Sequence, residues 1–208
     1  MTQVQVGIKK GRKFDQVLEG ARKVFLRDGF EGASVDDIAR EAGVSKATLY
    51  SYFPDKRLLF MAIATGECQR QADDALEFLN EGDRPVREVL RYAANKLIDY
   101  ITSPLGLQTY RLCVAETDRF PALGQQFYAS GPLLVRVRMV EYLKTAVARG
   151  ELVIEDFDLA ADQFAELCKV DAYQGFLCGV TSEFRPERRA RVIEGAIEMF
   201  LARYGARG

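Results

Sequence analysis

Residues 34–56, Ser-Val-Asp-Asp-Ile-Ala-Arg-Glu-Ala-Gly-Val-Ser-Lys-Ala-Thr-Leu-Tyr-Ser-Tyr-Phe-Pro-Asp-Lys, leave the chain that contains them little freedom. Ser34 is placed to cap a helix, with Asp37 three positions on in capping-box relation, so a helix starts near Val35. Val35, Ile38, Ala39 and Ala42 recur on one face of it, and Ala39 is small enough for a second helix to cross closely. Gly43 stands where the chain must reverse with a positive φ, Val44 buries inside the turn, and Ser45 caps the next helix. That helix, roughly 45–53, turns Leu49 and, on one placement, Tyr52 inward. It leaves Lys46, Ala47, Thr48, Tyr50 and Ser51 on or near the other face until Pro54 stops it. Two short helices about a glycine-led turn form the unit that lays its second helix in a DNA major groove. The competing reading is an ordinary helical hairpin with Tyr50, Tyr52 and Phe53 as packing aromatics. The joint occurrence of the small residue, the turn glycine, buried Val44 and a polar second helix favours the DNA reader.

The remainder reads as helix after helix, without alternating runs long enough for strands, so the class is all-α. Helix one carries Phe14, Val17, Leu18, Ala21, Val24 and Phe25 as an apolar stripe and ends at Asp28-Gly29, with Phe30 folding back onto it. Asp55 is set to cap a long fourth helix that carries Leu58, Leu59, Ala62, Ile63 and Gly66 toward Leu79. Gly82, Asp83 and Pro85 break the chain before a helix near 86–102, and Ser103-Pro104 breaks it before one near 105–118. Gly131-Pro132 divides the stretch from 121 to 149. A final pair is expected at 159 to about 180 and 186 to about 204, with Pro186 suited to a first turn and Gly205 to an end. There Phe164, Leu167, Cys168, Ala172, Phe176 and Leu177 face Val192, Ile193, Ala196, Ile197 and Phe200. Two such helices from each of two protomers make a four-helix interface, unless both simply complete a monomeric core. A dimer suits a DNA reader, because one short helix covers few base pairs and two copies span half-sites one turn apart.

At 208 residues and 48% hydrophobic content the chain can bury a real core. Its net charge is -1, yet residues 1–27 hold seven Lys or Arg against two Asp or Glu. Lys9, Lys10, Arg12 and Lys13 can reach phosphates beside a groove, or merely solvate a chain end. The absence of any run of 18 apolar residues, and of an apolar core behind the N-terminal charges, points to a cytoplasmic protein with no membrane partner. Cys68, Cys113, Cys168 and Cys178 are scattered in apolar helical stretches, with no C-x-x-C pair and no histidine. Free buried thiols are therefore expected and no metal site or cofactor, with redox sensing left open.

Residues 12–60, notably Thr48-Leu49-Tyr50-Ser51-Tyr52-Phe53-Pro54-Asp55-Lys56, resemble the N-terminal domain of TetR/AcrR transcriptional regulators, and Arg111 to Pro132 is similar to AcrR-like C-terminal domains. The resemblance implies a helix-turn-helix DNA-binding domain over 9–56 and a helical effector-binding and dimerisation domain over 57–208. It also implies a homodimeric repressor that leaves an inverted-repeat operator in double-stranded DNA when a small hydrophobic effector binds. Carried over by position, it puts Lys46, Ala47, Thr48, Tyr50, Ser51 and Tyr52 at or near DNA and Lys56 on a phosphate. Ser34, and with it Ser45, would contact DNA at the helix starts. The chemistry agrees: lysines supply charge, the tyrosines hydroxyls and rings, and Thr48 a methyl or hydroxyl for base edges. For the effector, Tyr92, Lys96, Tyr100, Tyr110, Cys113, Glu116, Phe127, Tyr128 and Phe164 mix apolar walls with a few polar handles, although each aromatic is equally suited to plain core. Glu116, if turned inward, would favour a cationic ligand.

An enzyme is the rival from another class. The sequence offers it no histidine base, no phosphate-cradling glycine loop and no metal cluster, so no catalytic residue is assigned. Cys113 and Glu116 at one-turn spacing are the one thinkable couple. A helical adaptor is the third option, and it predicts no salt-dependent DNA binding.

Overall fold

The computed structural model describes residues 11–80 and 84–206; Lys9, Lys10, Gly82 and Asp83, expected to contact phosphate or to break the chain, lie outside them. Helix α1, Arg12–Gly32, buries Phe14, Val17, Ala21, Val24 and Phe25 at helical spacing. Its regular path breaks at Gly29, whose φ of 72° only glycine takes without strain. Phe30 then folds back to stack on Phe25, ring centroids 6.1 Å apart. α2 (Val35–Glu41) and α3 (Lys46–Tyr52) follow, and α4 (Lys56–Asn80) begins where the Arg57 N–H donates to Asp55 Oδ1 at 2.8 Å.

Beyond it lie α5 (Val86–Thr102), α6 (Pro104–Glu116), α7 (Pro121–Ser130) and α8 (Pro132–Ala148). The last three each open on a proline, whose fixed φ and missing N–H suit the first helical turn. α9 (Phe157–Leu167), α10 (Tyr173–Leu177) and α11 (Pro186–Tyr204) complete the chain. Among the described residues none of these helices is long and apolar enough to cross a membrane.

The single helix expected from 159 to about 180 is two helices. α9 starts earlier, at Phe157, because the Asp156 side chain accepts the Leu159 N–H at 2.9 Å. It ends at Leu167, and in the turn between it and α10 Asp171 adopts a left-handed φ of 74°. Two arginines on α11 hold that residue: Arg188 donates to both carboxylate oxygens, at 2.6 and 2.9 Å, and to the Asp171 carbonyl at 2.8 Å. Arg191 adds a bond at 3.0 Å.

These bonds, first that from Arg188, hold the Asp171 carboxyl down to about 2, against an ordinary 3.8. A lowered folded-state value means the pairing stabilises the fold above about pH 4 and is lost as pH falls toward 2. Asp171→Asn keeps a side chain tolerant of left-handed backbone. It is expected to lower stability at neutral pH and to flatten the loss between pH 4 and 2. Acid titration of helicity checks this, and superimposable curves for the two proteins would contradict it.

Two large hydrophobic cores and a small cluster of Met61, Cys113 and Leu123 form among the described residues. Val89, Leu90 and Ile98 of α5, Leu143 of α8, Phe164 of α9 and Ile193, Ile197 and Phe200 of α11 form one. Of the residues expected to make a four-helix interface, Phe164, Cys168, Ile193, Ala196, Ile197 and Phe200 are buried inside the protomer, with Phe164 against Phe200 at 5.3 Å, while Leu167 and Leu177 stay half-buried. The outer faces of these helices are what remain to meet a partner. The second core joins α1–α3 to Leu59, Phe60, Ile63 and Ala64 of α4, and also to Leu105 and Leu112 of α6. All four cysteines are free, but two depart from the expectation of burial: Cys178 is exposed where α10 ends and Cys68 is half-buried, while Cys113 and Cys168 are buried.

Candidate nucleic-acid interface

α3 is seated by its own ends. Ser45 Oγ accepts the Thr48 N–H at 3.1 Å, and the Phe53 N–H closes the last turn on the Leu49 carbonyl at 2.9 Å. Gly43, at φ 63°, reverses the chain so that the Val44 N–H reaches the Ala39 carbonyl at 3.0 Å. Leu49 is fully buried beneath the helix. Phe14 of α1 stacks on Phe53 at 5.5 Å and meets Tyr52 edge-on at 5.6 Å, fixing the angle at which α3 leaves the body.

Of the residues assigned to DNA, Ala47, Tyr50 and Ser51 are exposed, Tyr50 by 48%. Thr48 is half-buried, its hydroxyl 2.9 Å from that of Ser45, and Ser51 Oγ donates to the Thr48 carbonyl at 2.6 Å. Tyr52 is half-buried against Phe14. Ser34 serves its own helix: its Oγ accepts the Asp37 N–H at 3.0 Å and donates to Asp37 Oδ2 at 2.6 Å. Lys46 pairs with Asp36 of α2. Lys56, expected on a phosphate, instead donates to the Phe30 and Ala33 carbonyls at 2.7 and 3.1 Å, with its ammonium 4.5 Å from the Phe30 ring centroid.

The nine effector-site candidates divide. Tyr92, Lys96 and Tyr100 share one face of α5: Tyr92 stacks on Phe78 at 3.7 Å, Lys96 sits 5.5 Å from the Tyr92 ring, and burial beside Cys68 pushes the Tyr100 phenol up. Cys113 lies near Met61, sulfur to sulfur 3.8 Å, in a cluster with Leu123 against which Phe127 packs. Tyr110 meets Phe127 edge-on at 6.1 Å and Tyr173 at 6.2 Å. The other three lie apart. Phe164 belongs to the α5–α8–α9–α11 core. Tyr128 is exposed, its hydroxyl accepting from Arg136 at 3.4 Å. Glu116 accepts from Arg57 Nη1 at 3.1 Å, so its charge is already met within the protein. Burial raises the Cys113 thiol to about 11, which leaves it no nucleophile to pair with that carboxylate.

The sequence pattern described as bacterial regulatory proteins of the tetR family matches residues 17–63, and that of the AefR-like transcriptional repressor C-terminal domain matches 88–206. The chain belongs to the TetR family. A TetR-family regulator from Mesorhizobium loti superimposes with a TM-score of 0.81 at 27% identity, over 93% of this chain and 97% of its own. The flavonoid-responsive regulator FrrA does so with a TM-score of 0.69 at 32% identity, over 96% and 100%. The transcriptional repressor AcnR of Corynebacterium efficiens is 35% identical over 74 residues, 36% of this chain. The match spans 39% of that curated relative's length.

Sequence reasoning passed over Gly20, on which this TetR-family head depends. A Cβ built there would lie 2.6 Å from the Ala42 backbone nitrogen and 2.7 Å from its Cα and Cβ. The missing side chain is what lets α1 touch the end of α2. Isolated glycines inside helical patterns are a general cue to close packing, and this one was legible as such. Gly20→Val is expected to destabilise by about 1–3 kcal/mol, since the opposing atoms are backbone and cannot rotate aside. A urea midpoint equal to that of the unsubstituted protein would show that α1 does not approach α2 this closely.

Proposed function

We propose that the chain is a homodimeric transcriptional repressor that reads an inverted-repeat operator with α3 and releases it when a small hydrophobic effector occupies the C-terminal helices. The observation that carries the reading is the division of α3. Leu49 and the Phe14-Tyr52-Phe53 contacts lock one side to the body. The other side presents Lys46, Ala47, Thr48, Tyr50 and Ser51 on a helix short enough to enter a groove end-first. Tyr50, half exposed, is suited to hydroxyl or ring contacts, and Thr48 to a thymine methyl. Ser34 and Ser45 mark helix starts whose N–H groups already have caps, and Lys56 serves as a strut between α1 and α4.

Repression is supported by the C-terminal pattern and by the repressor AcnR, and effector control by the likeness to flavonoid-responsive FrrA. Tyr100, Cys113, Phe127 and Tyr110, with Cys68 and Met61 added by the structure, are the residues best grouped to line an effector site. Helix α4 passes from the head to this cluster, as Phe60 lies in the head core and Met61 beside Cys113. An effector that binds one arrangement of α4 better than another would shift the heads.

Dimerisation is supported by an apolar groove of about 410 Å³ between α9 and α11, which Leu167, Val170 and Met199 line together with Glu166 and Arg203. Selection of bound fragments from a random DNA pool tests the whole reading. An inverted-repeat consensus is expected. Recovery of no consensus, or of a single unrepeated site, overturns it.

A further inference from the structure

The DNA-reading head carries little excess of positive charge: residues 9–56 contain ten Lys or Arg and eight Asp or Glu, and the described part, 11–56, eight of each. Such a balance is unusual for a head that must meet phosphates, because sequence-independent DNA binding runs almost wholly on phosphate neutralisation. The balance is also local. Lys46, the first residue of α3, pairs with Asp36 in the first turn of α2, and Arg40 pairs with Asp37. Lys56 is turned into backbone carbonyls.

The Asp36 carboxylate has no part in capping α2, which Ser34 performs through the Asp37 N–H. Nor does it pack: the Asp36 and Lys46 side chains are 60% and 58% exposed. An ion pair this open is weak, and a neighbouring phosphate competes with it on even terms. Its visible effect is on where the Lys46 ammonium points, back to α2.

Resting on the operator-binding reading above, we propose that Asp36 is a specificity-determining residue, a carboxylate that holds Lys46 against α2 and denies random duplex one phosphate clamp per protomer. On random DNA the protein settles in whatever register satisfies the most phosphates, so a freed Lys46 always finds one. On the operator, α3 fixes the register through base edges. There a freed Lys46 gains a contact only if a phosphate lies within its reach. The pair thus suppresses non-specific binding more than operator binding.

The test measures the affinity of the full chain for its selected operator and for random duplex of equal length between about 50 and 200 mM salt. Asp36→Asn is expected to tighten random-duplex binding about tenfold and to steepen its log–log salt slope by about one per protomer. Operator binding tightens by less than about threefold, so the specificity ratio falls. Asp36→Glu restores the wild-type ratio, and Asp36→Asn placed in a Lys46→Met background has no effect. An unchanged slope overturns the proposal, and so does an equal gain on both duplexes. So does a gain that persists without Lys46, since Asp36 would then act by simple repulsion. If the unsubstituted protein binds no duplex in a salt-dependent manner, the operator-binding reading itself has failed.

Discussion

Phe60→Ala is expected to lower the free energy of unfolding by about 3–5 kcal/mol, the range for removing a buried aromatic from a core that cannot collapse. Phe60 is fully buried, with its ring edge-on to Phe25 at 5.0 Å and to Phe30 at 5.2 Å. Neither neighbour is free to fill the space: Phe25 and Phe30 are stacked on one another, and Lys56 lies over the outer face of Phe30. The three rings also form the joint between α1, the turn after Gly29 and α4, so the vacancy loosens the support of the head. A domain is typically stable by about 5–15 kcal/mol, so a loss of this size is a large share of the whole. Leu58→Ala, two positions earlier and 41% exposed, is expected to change stability by about 0.5 kcal/mol or less. Urea unfolding of the pair decides the matter, because equal losses would mean that α4 presents a different face to the head.

The same helix shows why the sequence was read well in some places and poorly in others. α2 and α3 were legible to within a residue because their limits are set locally, by Ser34, Gly43, Ser45 and Pro54. The expected stripe on α4 ran through Leu58 and missed Phe60, since one apolar stripe is the mark of a helix buried on one side. α4 is instead covered on two, with Leu59, Phe60 and Ile63 in the head core and Met61 against Cys113 and Leu123. The break between α9 and α10 was hidden for a different reason: Arg188 and Arg191, far along the chain, hold Asp171 in its left-handed turn. Lys56 reads as a phosphate ligand until the fold brings two carbonyls within its reach. The effector candidates were the least legible, because an aromatic in a helix has the same local pattern whether it lines a cavity or, like Phe164, fills a core.

Met199→Glu is expected to convert the protein to a monomer and to weaken binding to the full inverted repeat about 10²–10⁴-fold, the advantage that joining two binding units confers. Met199 is 63% exposed on α11. Gly195 and Ala202 lie near it on the same outer face, and a side chain added at Gly195 would meet nothing within 4 Å. Leu159 and Val170, 50% and 53% exposed, flank the same region on and just after α9. A twofold contact presses identical stripes together, so residues near the axis meet their own copies. A glutamate there would face another glutamate in a desolvated contact, and Arg203, four residues along the same helix, would have to be desolvated with it to offset the repulsion. The substitution leaves α3 untouched, so affinity for an isolated half-site should match that of the unsubstituted protein while the gain from the second half-site vanishes. Light scattering across a concentration series reads the mass, and anisotropy on half and full sites reads the coupling. A variant that remains dimeric at micromolar concentration would move the interface off this face. One that becomes monomeric yet keeps full-site affinity would break the link between two copies of the chain and two halves of the operator.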